Sequence, residues 1–286
     1  MENKGIIIEN RPESNAGVLV AGFTGWGNAL EISSSMMDYL IKGLGAVKFA
    51  RLNTDLYCRY IEERPVVRIN DGALTSISHG LGELYFADST PNNIVILKAQ
   101  EPALRWFHFT EALLSLCGQM GIRTIVTIGS MYDNVLHNDR IMSAVSSNEE
   151  LSLRLKEKGI LPISYEGPCS IHTIVQSEGE WKGFECASIW CHCPYYLQGT
   201  THYGILSHLG SFLSGFFGFD LDLTELNTLW KELKEKIQEI IDNNGDLQDM
   251  IARLRKEKVR GSWAHMKEDD PGHDKVLDIR DFMKPR

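Results

Sequence analysis

The sequence predicts an α/β protein, a three-layer α/β/α sandwich around a mainly parallel or mixed sheet. Two observations predict it. Short runs rich in Val, Ile and Phe recur along the chain, and several are apolar on both faces, as strands covered on both sides of a sheet are. Longer stretches with helical periodicity alternate with these runs. The predicted strands are residues 17–23, 47–52, 83–87, 93–99, 123–129 and 185–190.

Two of the helical stretches have clear boundaries. Residues 28–44 form the first, and residues 102–120 form the second, with Pro102 at its first position and Gly121 after its end. Proline suits the first turn because the N–H groups of that turn have no partner within the helix. Glycine suits the position after a helix because it adopts the left-handed conformation at little cost.

The pattern of the chain changes after Phe219. Apolar residues spaced three and four apart form an amphipathic seam, while Glu and Lys fill the other faces. Gly245 predicts the end of one helix and Asp246 the N-cap of the next, so we expect a C-terminal helical hairpin. The predicted domains are an α/β/α domain (1–219), a helical-hairpin appendage (220–260) and a charged tail (261–286). The seam consists of Leu226, Trp230, Leu233, Ile237 and Ile240.

Composition and charge disfavour several classes of function. The 286-residue chain carries 29 basic and 38 acidic residues, a net charge of −9, which opposes binding to nucleic acid or anionic lipid. Residues 186–219 contain no Asp, Glu, Lys or Arg, but polar residues interrupt them, so we expect a buried strand and helix and no membrane contact. Six scattered cysteines and an N-terminus without a secretion leader predict a cytoplasmic protein with reduced thiols.

The loop GFTGWGNA (22–29) is the first candidate site. It lies between a predicted strand and a predicted helix, and Asn28 stands where the lysine of a phosphate-binding loop would be. Two interpretations stay open. Gly25, Gly27 and Asn28 could bind an anion through backbone N–H groups at the start of the helix. The favoured alternative is a close-packed turn in which Trp26 either fills a neighbouring surface of the fold or serves at an interface.

The cysteine and histidine residues do not predict a catalytic or metal site. In WCHCPYY (190–196) two thiols share one face of a predicted strand without the second close pair of a structural zinc site. Cys169, with His172 one helical turn further on, is the best nucleophile candidate, but packing or capping roles are commoner for such residues. We therefore assign no catalytic residue, no metal and no cofactor, and favour a protein that is not an enzyme.

Four motifs precede the closing helical pair in order: GFTGWGNA (22–29), ERPVVRINDG (63–72), YEGPCSIH (165–172) and ASIWCHCPYYLQG (187–199). This ordered set resembles the proteasome assembly chaperone 2 family, in its bacterial and archaeal branch. The resemblance spans roughly residues 5–258. The positions that match the family's motifs are Gly25, Trp26, Asn28, Ala29, Arg64, Pro65, Arg68, Gly167, Pro168, Pro194 and Tyr196.

The resemblance implies a fold similar to purine nucleoside phosphorylases and self-association into homo-oligomers. It also implies an assembly chaperone, scaffold or adaptor with protein partners, among them proteasome subunits where the organism has them. A second hypothesis is a protein or enzyme that binds a nucleoside or phosphate at the glycine-rich loop of residues 22–28. Kinship in fold does not transmit that activity, so we favour the first hypothesis.

Overall fold

The computed structural model describes residues 5–78, 80–88 and 93–259. Over these residues the chain folds into a mixed α/β structure with one nine-stranded sheet, in the order β1-β3-β6-β7-β2-β8-β11-β9-β10, and one separate two-stranded sheet, β4-β5. The strands are β1 (Ile6–Ile8), β2 (Val18–Thr24), β3 (Val47–Leu52), β4 (Val66–Asn70), β5 (Ala73–Ser78), β6 (Gly82–Ala87), β7 (Ile94–Gln100), β8 (Thr124–Asp133), β9 (Met142–Ser146), β10 (Leu161–Pro162) and β11 (Glu185–Pro194).

The four central strands of the large sheet, β7, β2, β8 and β11, run parallel to one another. Antiparallel strands extend the sheet on both sides: β6, β3 and β1 beyond β7, and β9 beyond β11. The sheet is therefore mixed, as the sequence predicts, and all six predicted strands are present. The carboxyl ends of the four central strands meet at one edge, where α/β proteins commonly place their ligand sites.

The helices are α1 (Ile32–Gly43), α2 (Thr54–Tyr57), α3 (Trp106–Gln119), α4 (Glu149–Glu157), α5 (Ile171–Trp181), α6 (Tyr203–Phe217), α7 (Thr224–Asp242) and α8 (Gly245–Val259). Two of them begin four residues later than predicted. Residues 29–31 form a short 3-10 turn before α1, with Leu30 and Glu31 in the left-handed region. Arg105 is left-handed before α3. Neither conformation can continue a right-handed helix. None of the described helices is long and apolar enough to cross a membrane.

Apolar side chains fill both faces of the large sheet. Alternate residues of β2 belong to different cores, with Val18 and Val20 on one face and Leu19 and Ala21 on the other. The first core includes buried residues of α1, α6 and α7. The second includes buried residues of α3 and α5. Burial on both faces explains why odd-numbered and even-numbered residues of the central strands are both apolar.

The C-terminal helices pack onto the first core. Leu226, Trp230, Leu233 and Ile237 of the predicted seam are buried, and Ile240 is half-buried. The expected helix end at Gly245 is wrong, since α7 ends at Asp242 and α8 begins at Gly245. The expected N-cap at Asp246 is also wrong, since the side chain of Asn244 accepts a hydrogen bond from the Leu247 amide at 3.0 Å. The predicted charged tail, 261–286, lies outside the described residues.

The β4–β5 hairpin forms a small sheet of its own. Val67 pairs with Ile77 and Ile69 with Leu74, so these four apolar side chains share one face. A bulge at Thr75, between the Arg68–Ser76 and Ile69–Leu74 pairs, keeps the two apolar pairs on the same face. All four side chains are exposed, by 46 to 59%. Within the described residues, the hairpin thus presents an uncovered apolar face, which we call the hairpin face.

Candidate functional site at the carboxyl edge of the sheet

The candidate site begins with the loop that follows β2. Gly25 has a φ of 126°, which glycine adopts without strain. The carbonyl of Gly27 accepts a hydrogen bond from the backbone amide of Ser130 at 2.8 Å, and the Ser130 hydroxyl donates to the carbonyl of Ala29 at 2.8 Å. The loop is therefore fastened to β8 and held rigidly at the carboxyl edge.

Four aromatic rings support this loop and contact one another edge to face or at a tilt. We call this group the aromatic stack; its members are Phe23, His172, Trp190 and Trp26. The Phe23 and His172 rings lie 5.2 Å apart, and the His172 and Trp190 rings 5.0 Å apart. The indole of Trp26 contacts that of Trp190 edge to face, with centroids 6.5 Å apart. Gly27 and Gly129 make room for the Trp190 ring, because a Cβ atom at either position would lie about 3 Å from it. Trp26 lies at the top of this stack and is 63% exposed.

Burial alone lowers the pKa of His172 to about 3, so its imidazole is neutral at physiological pH. Its buried Nδ1 has no hydrogen-bond partner among the described residues. A neutral ring between Phe23 and Trp190 acts as an aromatic packing element. Cys169, the nucleophile candidate from the sequence, is exposed and precedes the helix by two residues. The structure thus places His172 in the aromatic stack beneath Trp26.

Asn28 fastens the loop to α1. Its Oδ1 accepts a hydrogen bond from the backbone amide of Ser34 at 3.2 Å, and its Nδ2 donates to the Ser34 hydroxyl at 3.0 Å. The expected N-cap role is therefore present in part: Asn28 satisfies one amide of the first helical turn, although Glu31 occupies the N-cap position.

Two carboxylates oppose anion binding at this edge. Oε1 of Glu101 accepts a hydrogen bond from the Ile171 amide at 2.8 Å and so occupies the N-terminus of α5. A Cβ atom on Gly25 would lie 3.2 Å from Oε2 of the same side chain. Glu31 precedes the first turn of α1, and its side chain makes no capping hydrogen bond with the described residues. Because the N-terminus of α5 already has a bonded carboxylate and Glu31 adds a negative charge beside that of α1, the geometry disfavours the phosphate or nucleotide interpretation of the loop.

A polar triad of Asp133, His192 and Ser143 lies at the same edge, on the last residues of β8 and β11 and the start of β9. Nδ1 of His192 lies 2.6 Å from Oδ2 of Asp133, and Nε2 lies 2.8 Å from the Ser143 hydroxyl. His192 and Ser143 are buried, and the Asp133 side chain is about one-third exposed. No local motif predicts this cluster, because His192 lies 49 residues from Ser143 and 59 residues from Asp133 in the sequence.

The Cys-His-Cys motif does not converge on one point. Cys191 and Cys193 belong to the core on the face opposite His192. Burial raises the pKa of the Cys191 thiol to about 12 and that of the Cys193 thiol well above its ordinary value, so both are protonated packing residues. Among the described residues, no group of three His, Cys, Asp or Glu side chains could hold a metal ion.

Two further predicted turns adjoin the carboxyl edge. Pro194 ends β11 opposite Asp133, and the buried Tyr196 hydroxyl accepts a hydrogen bond from the His137 amide at 2.6 Å. Gly167 and Pro168 precede α5, and the Tyr165 hydroxyl donates to the Pro168 carbonyl at 3.0 Å. A Cβ atom on Gly167 would overlap the Tyr165 ring. These residues stabilise the segments that surround the loop.

The remaining predicted residues lie elsewhere. Arg64 and Pro65 precede the β4–β5 hairpin, and Arg68 lies within it on the face opposite Ile69. The Arg68 carbonyl accepts a hydrogen bond from the Thr75 hydroxyl at 2.9 Å, which closes the bulge. The structure therefore associates this motif with the hairpin and the other predicted positions with the sheet edge.

Fold and site together define a class: mixed α/β proteins that carry an exposed tryptophan on a glycine-rich loop at the carboxyl edge of parallel central strands. Comparison with protein-family models identifies the family within this class. The model of the PAC2 family matches residues 19–241, so the chain belongs to the PAC2 family. The family expected from the sequence motifs is confirmed. A search of the curated proteins finds no match.

Solved structures share the fold at low sequence identity. A PAC2 family protein from Streptomyces avermitilis is 22% identical, with a TM-score of 0.74 over 82% of this chain and 99% of its own. A proteasome-assembly chaperone homologue from Mycobacterium tuberculosis is 21% identical, with the same TM-score and coverage. PbaB of Pyrococcus furiosus, an archaeal proteasome activator, is 18% identical, with a TM-score of 0.64 over 82% of this chain and 97% of its own.

Proposed function

We propose that this chain is an assembly chaperone or scaffold that binds a protein partner through the surface around Trp26. One observation carries the proposal: a large aromatic side chain, 63% exposed, stands on a rigid stack of rings at the end of the sheet. Exposed tryptophans of this kind are frequent anchors of protein interfaces, because they bury a large area at little cost in conformational entropy. Proteasome-assembly chaperone homologues in the PAC2 family support a chaperone-like role.

We further propose that the protein is a homo-oligomer held together by the hairpin face. A two-stranded hairpin is marginally stable alone, and four exposed aliphatic side chains on one face need a cover. A second copy of the hairpin supplies an identical apolar face, as a two-fold interface requires. Proteasome subunits are candidate clients where the organism has them, since the similar structures include a proteasome-assembly chaperone homologue and a proteasome activator. We also propose that the protein acts in the cytoplasm.

The three-layer α/β/α arrangement, similar to purine nucleoside phosphorylases, and the division into a domain, a helical hairpin and a tail are part of the proposal. The two apolar cores on opposite faces of the sheet support the first. Fold similarity does not carry phosphorylase activity with it. The carboxylates of Glu31 and Glu101 at the two helix N-termini argue against a phosphate substrate at the loop.

Trp26→Ala tests the partner surface. We expect the variant to fold normally and to lose most client capture, since truncating an anchor of this type costs about 2 kcal/mol or more, roughly 30-fold in affinity. The measurement is pull-down from native lysate with quantitative mass spectrometry, followed by titration of the recovered client.

Trp181→Ala is the matched control. Trp181 is the last residue of α5 and is 81% exposed. The substitution therefore removes an exposed tryptophan side chain from the end of α5 opposite to His172 and the Trp26 loop. We expect it to capture clients like the wild type. Equal capture by the wild type and both variants, or equal loss from both, would contradict the proposed surface.

A further inference from the structure

We propose that the polar triad is an acyl-transfer site in which Ser143 is the nucleophile, His192 the general base and Asp133 the residue that orients the histidine. The substrate class is small neutral carboxylic esters with an apolar acyl group. This inference adds a reaction to the protein and does not depend on the partner surface around Trp26.

The hydrogen bonds define the proton positions in the triad. The Asp133 carboxylate can only accept, so the proton of a neutral His192 lies on Nδ1, 2.6 Å from Oδ2. Nε2 then carries a free lone pair, which accepts a hydrogen bond from the Ser143 hydroxyl at 2.8 Å. The serine proton is therefore directed at a base, and the base is oriented by a carboxylate. This is the arrangement that activates a serine hydroxyl as a nucleophile.

The surroundings of the triad indicate the substrate. Trp190 lies opposite Ser143 in the pairing of β11 with β9, and Met131 lies opposite His192 in the pairing of β11 with β8. These side chains make the neighbourhood of the nucleophile apolar. The negative charge of Asp133 disfavours an anionic acyl group. Ser143 is 3% exposed, so only a small acyl group can reach it.

The reaction proceeds in two steps. First, the Ser143 oxygen bonds to the ester carbonyl carbon, its proton passes to Nε2 of His192, and the bond to the alcohol oxygen breaks. The alcohol leaves with the proton from His192. Water then attacks the acyl-serine and gives its proton to His192, which returns a proton to Ser143 as the carboxylic acid leaves. The cycle consumes one ester and one water, and no oxidation occurs.

The test uses the full-length protein with methanesulfonyl fluoride, a neutral probe about as small as an acetyl donor. The Ser143 oxygen would bond to sulfur, fluoride would leave, and the serine proton would pass to His192. We expect one adduct, assigned to Ser143 by peptide mass spectrometry, and hydrolysis of 4-nitrophenyl acetate that the adduct abolishes. Ser143→Ala should abolish both. Asp133→Asn should slow both by on the order of 100-fold to 10,000-fold, because the histidine loses its orienting partner.

Ser146→Ala is the matched control, since it removes a hydroxyl from the same strand three residues away. It should label and hydrolyse like the wild type. If Ser143→Ala fails to fold by circular dichroism, the labelling rate of Asp133→Asn decides alone. Absence of an adduct on Ser143 in the folded wild type, or equal labelling of Asp133→Asn, overturns the proposal. A Trp26→Ala protein that loses client capture but is still labelled at Ser143 would support a triad that works independently of the Trp26 surface.

Discussion

At the scale of single residues, Gly27 determines whether the loop can pack on its aromatic support. A Cβ atom at this position would lie 3.1 Å from the Trp190 ring and 3.2 Å from Nε2 of His172. The His172 ring is 1% exposed and cannot move away freely, whereas the Trp190 ring is half-buried. Glycine is therefore required here by close approach of the backbone to the rings.

We expect Gly27→Ala to lower the free energy of unfolding by about 1 to 3 kcal/mol, the range for overpacking a rigid site. Urea denaturation measures it. Gly215→Ala is the control, because nothing lies within 4 Å of a Cβ atom there and the residue is inside α6. That change should raise stability by about 0.5 to 1 kcal/mol, since alanine favours helix. Equal effects of the two variants would contradict the packing argument.

The sequence located the loop but not the residues beneath it. Glycines around a tryptophan between a strand and a helix are a local signal, so Gly25 to Asn28 could be identified. Trp190, Glu101 and the polar triad come together only because β7, β2, β8, β11 and β9 are neighbours in the sheet. Pairing between distant strands has no local signature, and single-sequence reasoning cannot supply it.

At the scale of elements, the sequence predicted the buried strands and missed strands that are short, polar or exposed. The six predicted strands are apolar, and all six lie in the interior of the sheet between other strands. The missed strands differ from these. β1 and β10 are short, β9 contains polar and apolar residues, and β4 and β5 are exposed. Helix starts were misplaced because Glu31 and Arg105 adopt the left-handed conformation, which their residue types do not predict.

The hairpin face leads to a prediction about assembly. Ile69→Ser removes an apolar side chain from the centre of that face, where Ile69 pairs with Leu74. We expect the oligomer to dissociate at protein concentrations at least about 10-fold higher than for the wild type, since burying an isoleucine contributes about 1.5 to 3 kcal/mol per copy. Light scattering over a dilution series measures the change.

Val66→Ser is the control for assembly. Val66 is 72% exposed on the same strand but on the opposite face of the hairpin, beside Arg68. It should leave the oligomer unchanged. A wild-type protein that is monomeric at all concentrations, or dissociation by both variants alike, would count against the hairpin face as the interface.

At the scale of the whole molecule, buried neutral histidines join elements that are distant in sequence. Nδ1 of His202 accepts a hydrogen bond from the Ile205 amide at 3.2 Å, so Nε2 carries the proton and donates to the His137 carbonyl at 3.0 Å. The His202 ring stacks on Trp230 of α7 with centroids 4.6 Å apart. These contacts tie the loop after β8 to α6 and α7. Protonating Nδ1 of His202 would remove the acceptor of the Ile205 amide and break this arrangement.

This arrangement predicts loss of stability in mild acid. Burial lowers the pKa to about 3 for His172 and to about 4 for His137 and His202, against about 6.5 in an unfolded chain. Between these values the unfolded state binds more protons, so the stabilising contribution is complete above about pH 6.5 and is lost as the pH falls. Each histidine adds up to about 1.4 kcal/mol per pH unit to this slope.

His172→Phe isolates one contribution, because phenylalanine keeps an aromatic ring between Phe23 and Trp190 and cannot take up a proton. We expect the variant to be less acid-sensitive, with a slope of unfolding free energy between pH 6 and 4 that is smaller by up to about 1.4 kcal/mol per pH unit. Urea denaturation at a series of pH values measures both slopes. If they coincide, His172 takes up no proton on unfolding, and the acid sensitivity must come from groups outside the aromatic stack.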